Sequence, residues 1–200
     1  MKKVLLVSLL FVMVFGSSTV FAAEKATLGA GNLALKVDYI DFTDGDMGNL
    51  DVDSGLYVGL EAYSHLADTA PNFYIGMEVG YASSDGDVDS SGSNRETEAI
   101  FVPIELNLKY SMNVTPNLAL DLGAGPSINY AKVEAPRLFG TEDDWLWGGQ
   151  AFADLNLKIN QFFIGINAKY QITENFDIGD TETDLSFRNW RIGGQAGIMF

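Results

Sequence analysis

Apolar and polar residues alternate with a period of two along most of the chain, and the alternation falls into eight separate segments. Successive side chains of a β-strand point to opposite faces, so each segment predicts a strand with one apolar and one polar face. In the last segment Trp190, Ile192 and Phe200 share the apolar face, whereas Arg191 and Gln195 lie on the other. The predicted strands cover residues 33–39, 56–63, 73–81, 100–110, 118–130, 147–158, 162–171 and 190–200.

The two faces of these strands indicate how the sheet is used. The apolar face carries no charged residue in any segment, whereas the other face carries charges, amides and glycines. A soluble β-sandwich buries its large apolar residues in a dry interior, and a face of charges and glycines cannot line one. The apolar face is therefore expected to meet lipid, where only a closed barrel satisfies every backbone group of a sheet.

The pattern thus predicts an all-β protein, an eight-stranded antiparallel up-and-down transmembrane β-barrel. Two predicted strands contain a proline, Pro103 and Pro126. Because proline lacks a backbone donor for the strand ladder, we expect a bulge or a strand rim near each of them.

Short and long connections alternate between the predicted strands. The short ones are residues 65–72, residues 111–117 and a tight turn around Asn160; the long ones are residues 43–54, 83–98, 132–144 and 172–185. Outer-membrane barrels have short periplasmic turns and longer extracellular loops, so both termini are predicted to be periplasmic. Counted from Asp41, the long connections hold 19 acidic residues and three basic ones, Arg95, Lys132 and Arg137. The sequence therefore predicts four acidic extracellular loops.

Aromatic residues recur at the ends of the apolar faces. Amphipathic rings concentrate at the two interfaces of a membrane, so two aromatic girdles are expected. The predicted outer girdle consists of Tyr39, Tyr81, Tyr130, Tyr170, Trp147 and Trp190, and the predicted inner girdle of Phe73, Tyr110, Phe162 and Phe200.

The first 22 residues have the layout of a cleavable Sec-type signal peptide. Lys2 and Lys3 precede an apolar run, and small residues lead to a predicted cut after Ala22 or Ala23. The run is shorter than the ~20 residues that an uncleaved spanning anchor requires. We therefore expect a signal peptide over residues 1–22 and one barrel domain over residues 23–200, exported without cysteine and hence without disulfides.

Net charge narrows the range of partners. The full chain carries −15, and loss of Lys2 and Lys3 with the signal peptide makes the mature chain −17. Nucleic-acid binding depends on clustered lysine and arginine, so this excess of acid argues against it.

The polar face of the strands contains six acidic and five basic residues that would share the lumen. An eight-stranded barrel is just wide enough for side chains to fill, so we expect paired charges in a closed interior, with inward glycines making room for the long charged chains. An ion-conducting path along these charges is the alternative. The predicted lumen network consists of Lys36, Asp38, Glu61, Glu78, Glu105, Lys109, Asp121, Asp154, Lys158, Lys169 and Arg191.

The sequence gives little indication of a catalytic site. Barrel enzymes that cut or transfer lipid acyl chains use a histidine near the outer leaflet with a serine and a carboxylate. The single histidine, His65, lies in a predicted periplasmic turn. Loop carboxylates could serve an aspartate-based hydrolase, but acids at this density are typical of solvated loops. We expect no enzymatic activity and no cofactor.

One acidic loop has the carboxylate spacing of a calcium-binding loop. Asp85, Asp87, Asp89 and Glu96 occupy offsets 1, 3, 5 and 12. Ser90 stands where the turn glycine belongs, and the flanking segments are strands instead of helices. A flexible acidic loop that binds divalent cations weakly is the competing interpretation.

Three stretches carry a resemblance to a known family: V-P-I-E-L-N-L-K-Y at 102–110, L-G-A-G-P at 122–126, and the terminal strand that ends in Phe200. The whole mature chain resembles the small eight-stranded outer-membrane barrels. That group includes the transmembrane domain of outer membrane protein A, the outer membrane protein X and Ail adhesion type, and opacity-like surface antigens. The resemblance implies that the barrel assembly machinery recognises the terminal strand through Phe200, with Ile198 and Trp190 on the same face. Because the chain ends at Phe200, we expect no peptidoglycan-binding domain.

The combined expectation is a monomeric, non-enzymatic integral protein of the bacterial outer membrane, with an envelope-structural or surface-interaction role. Its expected partners are outer-membrane lipid and lipopolysaccharide, the barrel assembly machinery, and divalent cations or host or surface ligands at the loops. A small porin and a lipid-modifying outer-membrane enzyme remain as alternatives.

Overall fold

The computed structural model describes residues 27–43, 52–67, 69–87, 96–135, 140–176 and 185–200, and these residues form a closed antiparallel barrel of eight strands. Each strand pairs with its neighbours in sequence, and β8 closes the ring against β1. The predicted fold class is therefore confirmed. The strands are β1 (Gly31–Phe42), β2 (Ser54–His65), β3 (Phe73–Asp87), β4 (Glu96–Thr115), β5 (Leu118–Ala135), β6 (Gly140–Ile159), β7 (Phe162–Thr173) and β8 (Asn189–Met199).

The predicted signal peptide, residues 1–22, lies outside the described residues. The described part of the chain contains no helix that is long and apolar enough to cross a membrane.

The outer surface of the barrel is an apolar belt. In β1, Leu35 and Tyr39 are 53% and 58% exposed, whereas the alternating residues Lys36 and Asp38 are buried. The same alternation of exposed apolar and buried polar side chains recurs around the ring. This is the inverse of a water-soluble sheet and fits a surface that contacts lipid.

The two ends of the barrel differ. We call the end that carries the β2–β3, β4–β5 and β6–β7 turns the terminal end, because Gly31 and Phe200 also lie there and are joined by backbone hydrogen bonds. The opposite end is called the loop end. At the terminal end, Asn160 adopts a positive φ of 57° in the turn between β6 and β7, a conformation that asparagine tolerates better than most residues.

The strands on one side of the barrel extend further at the loop end than predicted. β3, β4, β5 and β6 include much of residues 83–98 and 132–144, which the sequence analysis assigned to long connections. At the terminal end, β4 likewise continues to Thr115, so the connection predicted over residues 111–117 is a turn at Pro116 and Asn117.

The physical reason for the missed extensions is that the two faces exchange polarity there. Above the belt, Ala99, Ala131 and Val133 of β4 and β5 are buried inside, and each has a charged, outward-facing neighbour in its strand. The outward charged residues in this region are Asp85, Glu98, Lys132, Glu134 and Asp143. A polar outer face with an apolar inner face is the pattern of a sheet in water, so the exchange marks where the strands leave the lipid.

An aromatic cap closes the lumen at the loop end. It consists of Phe42, Val52, Phe101, Phe176, Leu185 and Phe187, all of them buried. Phe101 and Phe187 stack with ring centroids 5.6 Å apart, and Phe42 meets their edges at 5.9 and 5.6 Å. A β-bridge between Asn175 and Ser186 supports the residues that follow β7 and precede β8.

The prediction of a bulge or a strand rim near each of the two prolines is wrong. Pro103 and Pro126 lie within β4 and β5, and the β4–β5 register is the same on both sides of them. The register shift in this pair occurs instead between Asn113 and Thr115, next to the terminal-end turn. The missing donors are thus tolerated without an extra residue in either strand.

The polarity exchange generates a testable prediction. Ile166 lies midway along β7 on the belt and is 65% exposed, so Ile166→Lys should destabilise the barrel in vesicles by about 2–4 kcal/mol. The matched variant Thr141→Lys places the same charge on the outer face of the extension and should leave stability unchanged. Denaturant titration followed by tryptophan fluorescence measures both variants. Equal stability of the two would contradict the proposed boundary.

Candidate functional site in the barrel lumen

Two carboxylates and two cations form the centre of the lumen network. The Lys169 ammonium lies 2.6 Å from Glu78 and 2.5 Å from Glu105, and Arg191 contacts the same carboxylates at 3.5 and 2.5 Å. All four side chains are essentially inaccessible to solvent. Each cation thus bridges strands β3 and β4 from the opposite wall of the barrel, because Lys169 and Arg191 project from β7 and β8.

A second group of charges lies closer to the terminal end. Lys36 contacts Glu61 at 2.9 Å, Glu78 at 3.3 Å and Asp154 at 3.8 Å. Lys109 lies 3.9 Å from Glu61 and 3.6 Å from Asp121. Glu78 therefore joins the two groups into one continuous network that reaches across the lumen.

Amide side chains surround the charges. Gln171 accepts a hydrogen bond from Arg191 at 2.7 Å and donates to Ser127 and Asn129 at 2.9 and 2.8 Å. At the other side, Asn156 donates to Asp121 at 3.0 Å. Amides both donate and accept, so they extend the network from the charged groups to neutral polar side chains.

Tyrosine and glycine residues shape the space around the network. The Tyr57 hydroxyl donates to Glu78 at 2.6 Å, and its ring lies 4.4 Å from the Arg191 guanidinium. A Cβ at Gly80 would fall 2.1 Å from that hydroxyl, and a Cβ at Gly123 would fall 2.2 Å from the Phe152 ring. The inward glycines at these positions make room for aromatic rings, which corrects the expectation that they accommodate lysine and arginine chains.

Ten of the eleven residues predicted for the lumen network are buried inside the barrel, and Lys158 is not part of it. Lys158 is partly exposed at the terminal end, where its ammonium donates to Asn113 and to the Thr27 carbonyl at 2.5 and 3.3 Å. Asp38 is buried and accepts a hydrogen bond from Asn167 at 2.9 Å. The described lumen therefore holds six carboxylates and four cations.

Several members of the site were missed by the sequence analysis. The alternation in the sequence is consistent with an inward position for the amides and for Tyr57, but it does not indicate that they join the network, because residues without a formal charge give no pairing signal. The Tyr57 ring lies against Gly59 in its own strand and Gly80 in the next strand. An inward aromatic residue flanked by inward glycines is the sequence signal that could have identified Tyr57 as a member of the site.

The residues predicted for the two girdles all project from the outer face. Phe73 and Tyr110 pack at the terminal end with centroids 5.0 Å apart, and Tyr170 and Trp190 pack at the loop end at 4.4 Å. Trp145, which the sequence analysis left out, lies 5.5 Å from Tyr130. The remaining predicted members, Tyr39, Tyr81, Trp147, Phe162 and Phe200, are 48–60% exposed.

The calcium candidates do not form a complete site among the described residues. Asp87 and Glu96 are opposite one another in the β3–β4 ladder, and Asp85 is exposed two pairs further along, opposite Glu98. Asp89 lies outside the described residues. Within the described ranges no group of three or more histidine, aspartate or glutamate side chains is arranged to hold a metal ion. Calcium binding thus stays a prediction.

The single histidine lies at the terminal end of β2. The His65 ring packs against the Tyr74 ring with centroids 5.8 Å apart. This position is at the end opposite the extended strands, as expected from its place in a short connection.

Glu105 offers the sharpest test of the network, because it binds both central cations. Removing one partner of a buried ion pair leaves an uncompensated charge, so Glu105→Gln should destabilise the barrel by about 3 kcal/mol or more. The control Glu134→Gln disrupts the partly exposed pair with Lys132 and should leave the unfolding midpoint essentially unchanged. Denaturant titration in the same vesicles measures both, and similar midpoints would show that the central pairs are energetically unimportant.

Comparisons with known proteins agree with this geometry. Neisserial surface protein A (NspA) is a similar solved structure, with a TM-score of 0.55 and 15% identity over 85% of this chain and 96% of that one. The N-terminal β-barrel domain of Pseudomonas aeruginosa OprF follows, with a TM-score of 0.50 and 11% identity over 86% of this chain and 98% of that one. Ail of Yersinia pestis has a TM-score of 0.44 and 12% identity over 84% and 99% of the two chains.

At these identities NspA and the OprF domain show the fold alone. A search of curated proteins finds no match. The family model described as "Outer membrane protein beta-barrel domain" matches residues 7–200. Because that match spans nearly the whole sequence, the chain belongs to the outer membrane protein β-barrel family.

Proposed function

We propose that this protein is a non-enzymatic, non-conducting barrel of the bacterial outer membrane that presents an acidic surface outside the cell. The observation that carries the proposal is the filled lumen: a fully buried network of charges that bridges opposite walls of the barrel, with the aromatic cap above it. Side chains occupy the interior of an eight-stranded barrel readily, and a conducting pore would need this volume for water.

The orientation follows from the two ends. We propose that the terminal end faces the periplasm and the loop end faces the exterior, because short turns are typical of the periplasmic side of such barrels. Residues 1–22 would act as a Sec-type signal peptide and residues 23–200 would be the exported domain. The apolar belt would contact outer-membrane lipid and lipopolysaccharide, and β8 would be recognised by the barrel assembly machinery.

The surface role is supported by the charge of the extension. Its outward face carries Asp85, Glu98, Glu134 and Asp143, with Lys132 between them. A face of one predominant sign favours cationic partners and opposes anionic ones, nucleic acid included. The partners that fit are divalent cations and basic groups on host or other surfaces, bound by a monomeric barrel.

Planar-bilayer recording tests the central part of this proposal. The folded protein should give no steady single-channel currents at neutral pH, because the Lys169 and Arg191 ion pairs and the aromatic cap occupy the lumen. Folding is verified beforehand by heat-modifiable migration on a gel. Reproducible unitary conductance from fully folded protein would favour the small-porin alternative.

Lipid analysis tests the non-enzymatic part. Mass spectra of lipid A from cells with and without the protein should be the same, since His65 lies at the terminal end. A change in acyl composition that depends on the protein would establish the lipid-modifying alternative.

A further inference from the structure

The four residues that precede β1 turn into the mouth of the barrel at the terminal end. Leu28 is completely buried there and packs in an apolar layer with Tyr63, Tyr74, Ala119 and Phe152. These side chains come from β2, β3, β5 and β6, so the layer extends across the lumen. Leu28 is its one described member from outside the strands.

Side-chain hydrogen bonds hold Thr27, Leu28 and Gly29 in place, whereas the Ala30 carbonyl accepts a backbone hydrogen bond from the His65 N–H of β2 at 2.8 Å. The Leu28 N–H donates to the Tyr74 hydroxyl at 2.9 Å, and the same hydroxyl donates to the Gly29 carbonyl at 3.1 Å. The Thr27 hydroxyl donates to the Ser111 carbonyl at 3.3 Å, and Lys158 donates to the Thr27 carbonyl at 3.3 Å. The described backbone hydrogen bonds to β2 and β8 begin at Ala30 and Gly31, after the hinge position Gly29.

Gly29 provides the turn that directs Leu28 inward. Its φ is +72°, a value that residues with a Cβ adopt rarely. A Cβ at this position would also lie 2.7 Å from the Phe200 carbonyl oxygen at the end of β8. Both the backbone conformation and the close approach therefore require glycine between the strand and the buried leucine.

The charged network begins immediately behind this layer. The Lys109 ammonium lies 3.7 Å from the centre of the Tyr63 ring and 6.0 Å from that of Tyr74. Lys109 in turn contacts Asp121 at 3.6 Å, and its side chain is 1% exposed. Leu28 and the two tyrosines thus separate the terminal-end half of the network from the solvent.

We infer that residues Thr27–Gly29 form a plug, hinged at Gly29, that can leave the terminal mouth while the barrel stays closed. Release at Gly29 breaks side-chain contacts but no strand pairing, so the plug can open as a local unit. Opening admits water to Lys109 and Asp121, whereas the aromatic cap continues to protect the opposite half. The plug goes beyond the proposed function, because its opening would give water access to the sealed lumen from the terminal end.

Site-resolved lysine acylation of the full chain, folded in detergent micelles so that a water-soluble reagent reaches both ends of the barrel, tests the plug. A water-soluble amine-reactive ester is the probe, and peptide mass spectrometry reads each lysine. In Leu28→Ser the rate at Lys109 should rise by about tenfold or more, as expected when the burial of one leucine is lost. Lys169 should stay protected in the same sample, and the partly exposed Lys132 reports the reagent dose.

Two further variants make the outcome decisive. Leu66→Ser is the matched control, since Leu66 is 49% exposed in the neighbouring turn, and it should leave Lys109 unreactive. Tyr74→Phe keeps the ring but removes both hydrogen bonds to the segment. It should raise the acylation rate of Lys109 to a value between those of the wild type and Leu28→Ser. If Leu28→Ser does not fold, the result for Tyr74→Phe decides the test.

The inference is overturned if Lys109 reacts at the wild-type rate in the folded variants. It is also overturned if Lys109 and Lys169 become reactive together, because the whole barrel would then have loosened. Neither result depends on single-channel currents, so failure of the plug and failure of the proposed function are distinguishable.

Discussion

Ion pairing across the lumen is the interaction on which the rest of this barrel depends. An apolar belt outside leaves the inner face as the place for polar side chains, and the buried charges there must neutralise one another. Glu78 and Glu105 on one wall meet Lys169 and Arg191 on the other, at 2.5–3.5 Å. These pairs connect strands that are not neighbours in the ring and so brace the barrel internally as well as filling it.

The apolar layers at the two ends complete this arrangement. A charged network is strongest where water is excluded, because the local dielectric is low. The aromatic cap excludes water at the loop end, and Leu28 with Tyr63 and Tyr74 does so at the terminal end. The lumen is therefore layered along the barrel axis, with apolar side chains at both ends and charged side chains between them. The two ends differ in how firmly the apolar residues that close them are attached.

The same strands change environment along their length. Within the belt they are apolar outside and polar inside, and in the extension of β4 and β5 the two faces exchange character. The exchange allows one continuous strand pair to serve first as a lipid-facing wall and then as a water-exposed acidic surface. The proposed surface role thus rests on strands that are anchored rigidly in the belt.

How much of the fold and of the lumen site can be predicted from the sequence depends on how far apart in the chain the interacting residues lie. Alternation is local, so the sequence determined the eight strands, their lipid-facing sides, the aromatic ends and most lumen charges. The prediction from the sequence assigns the extension to loops, because the alternation there is opposite to that of the belt. It also includes Lys158 in the lumen network, although this side chain lies at the rim. Tertiary structure alone decided that Lys169 pairs with Glu78 across 91 positions, that Phe42 meets Phe187, and that Leu28 enters the mouth. Such contacts depend on register and ring closure, which a period of two does not encode.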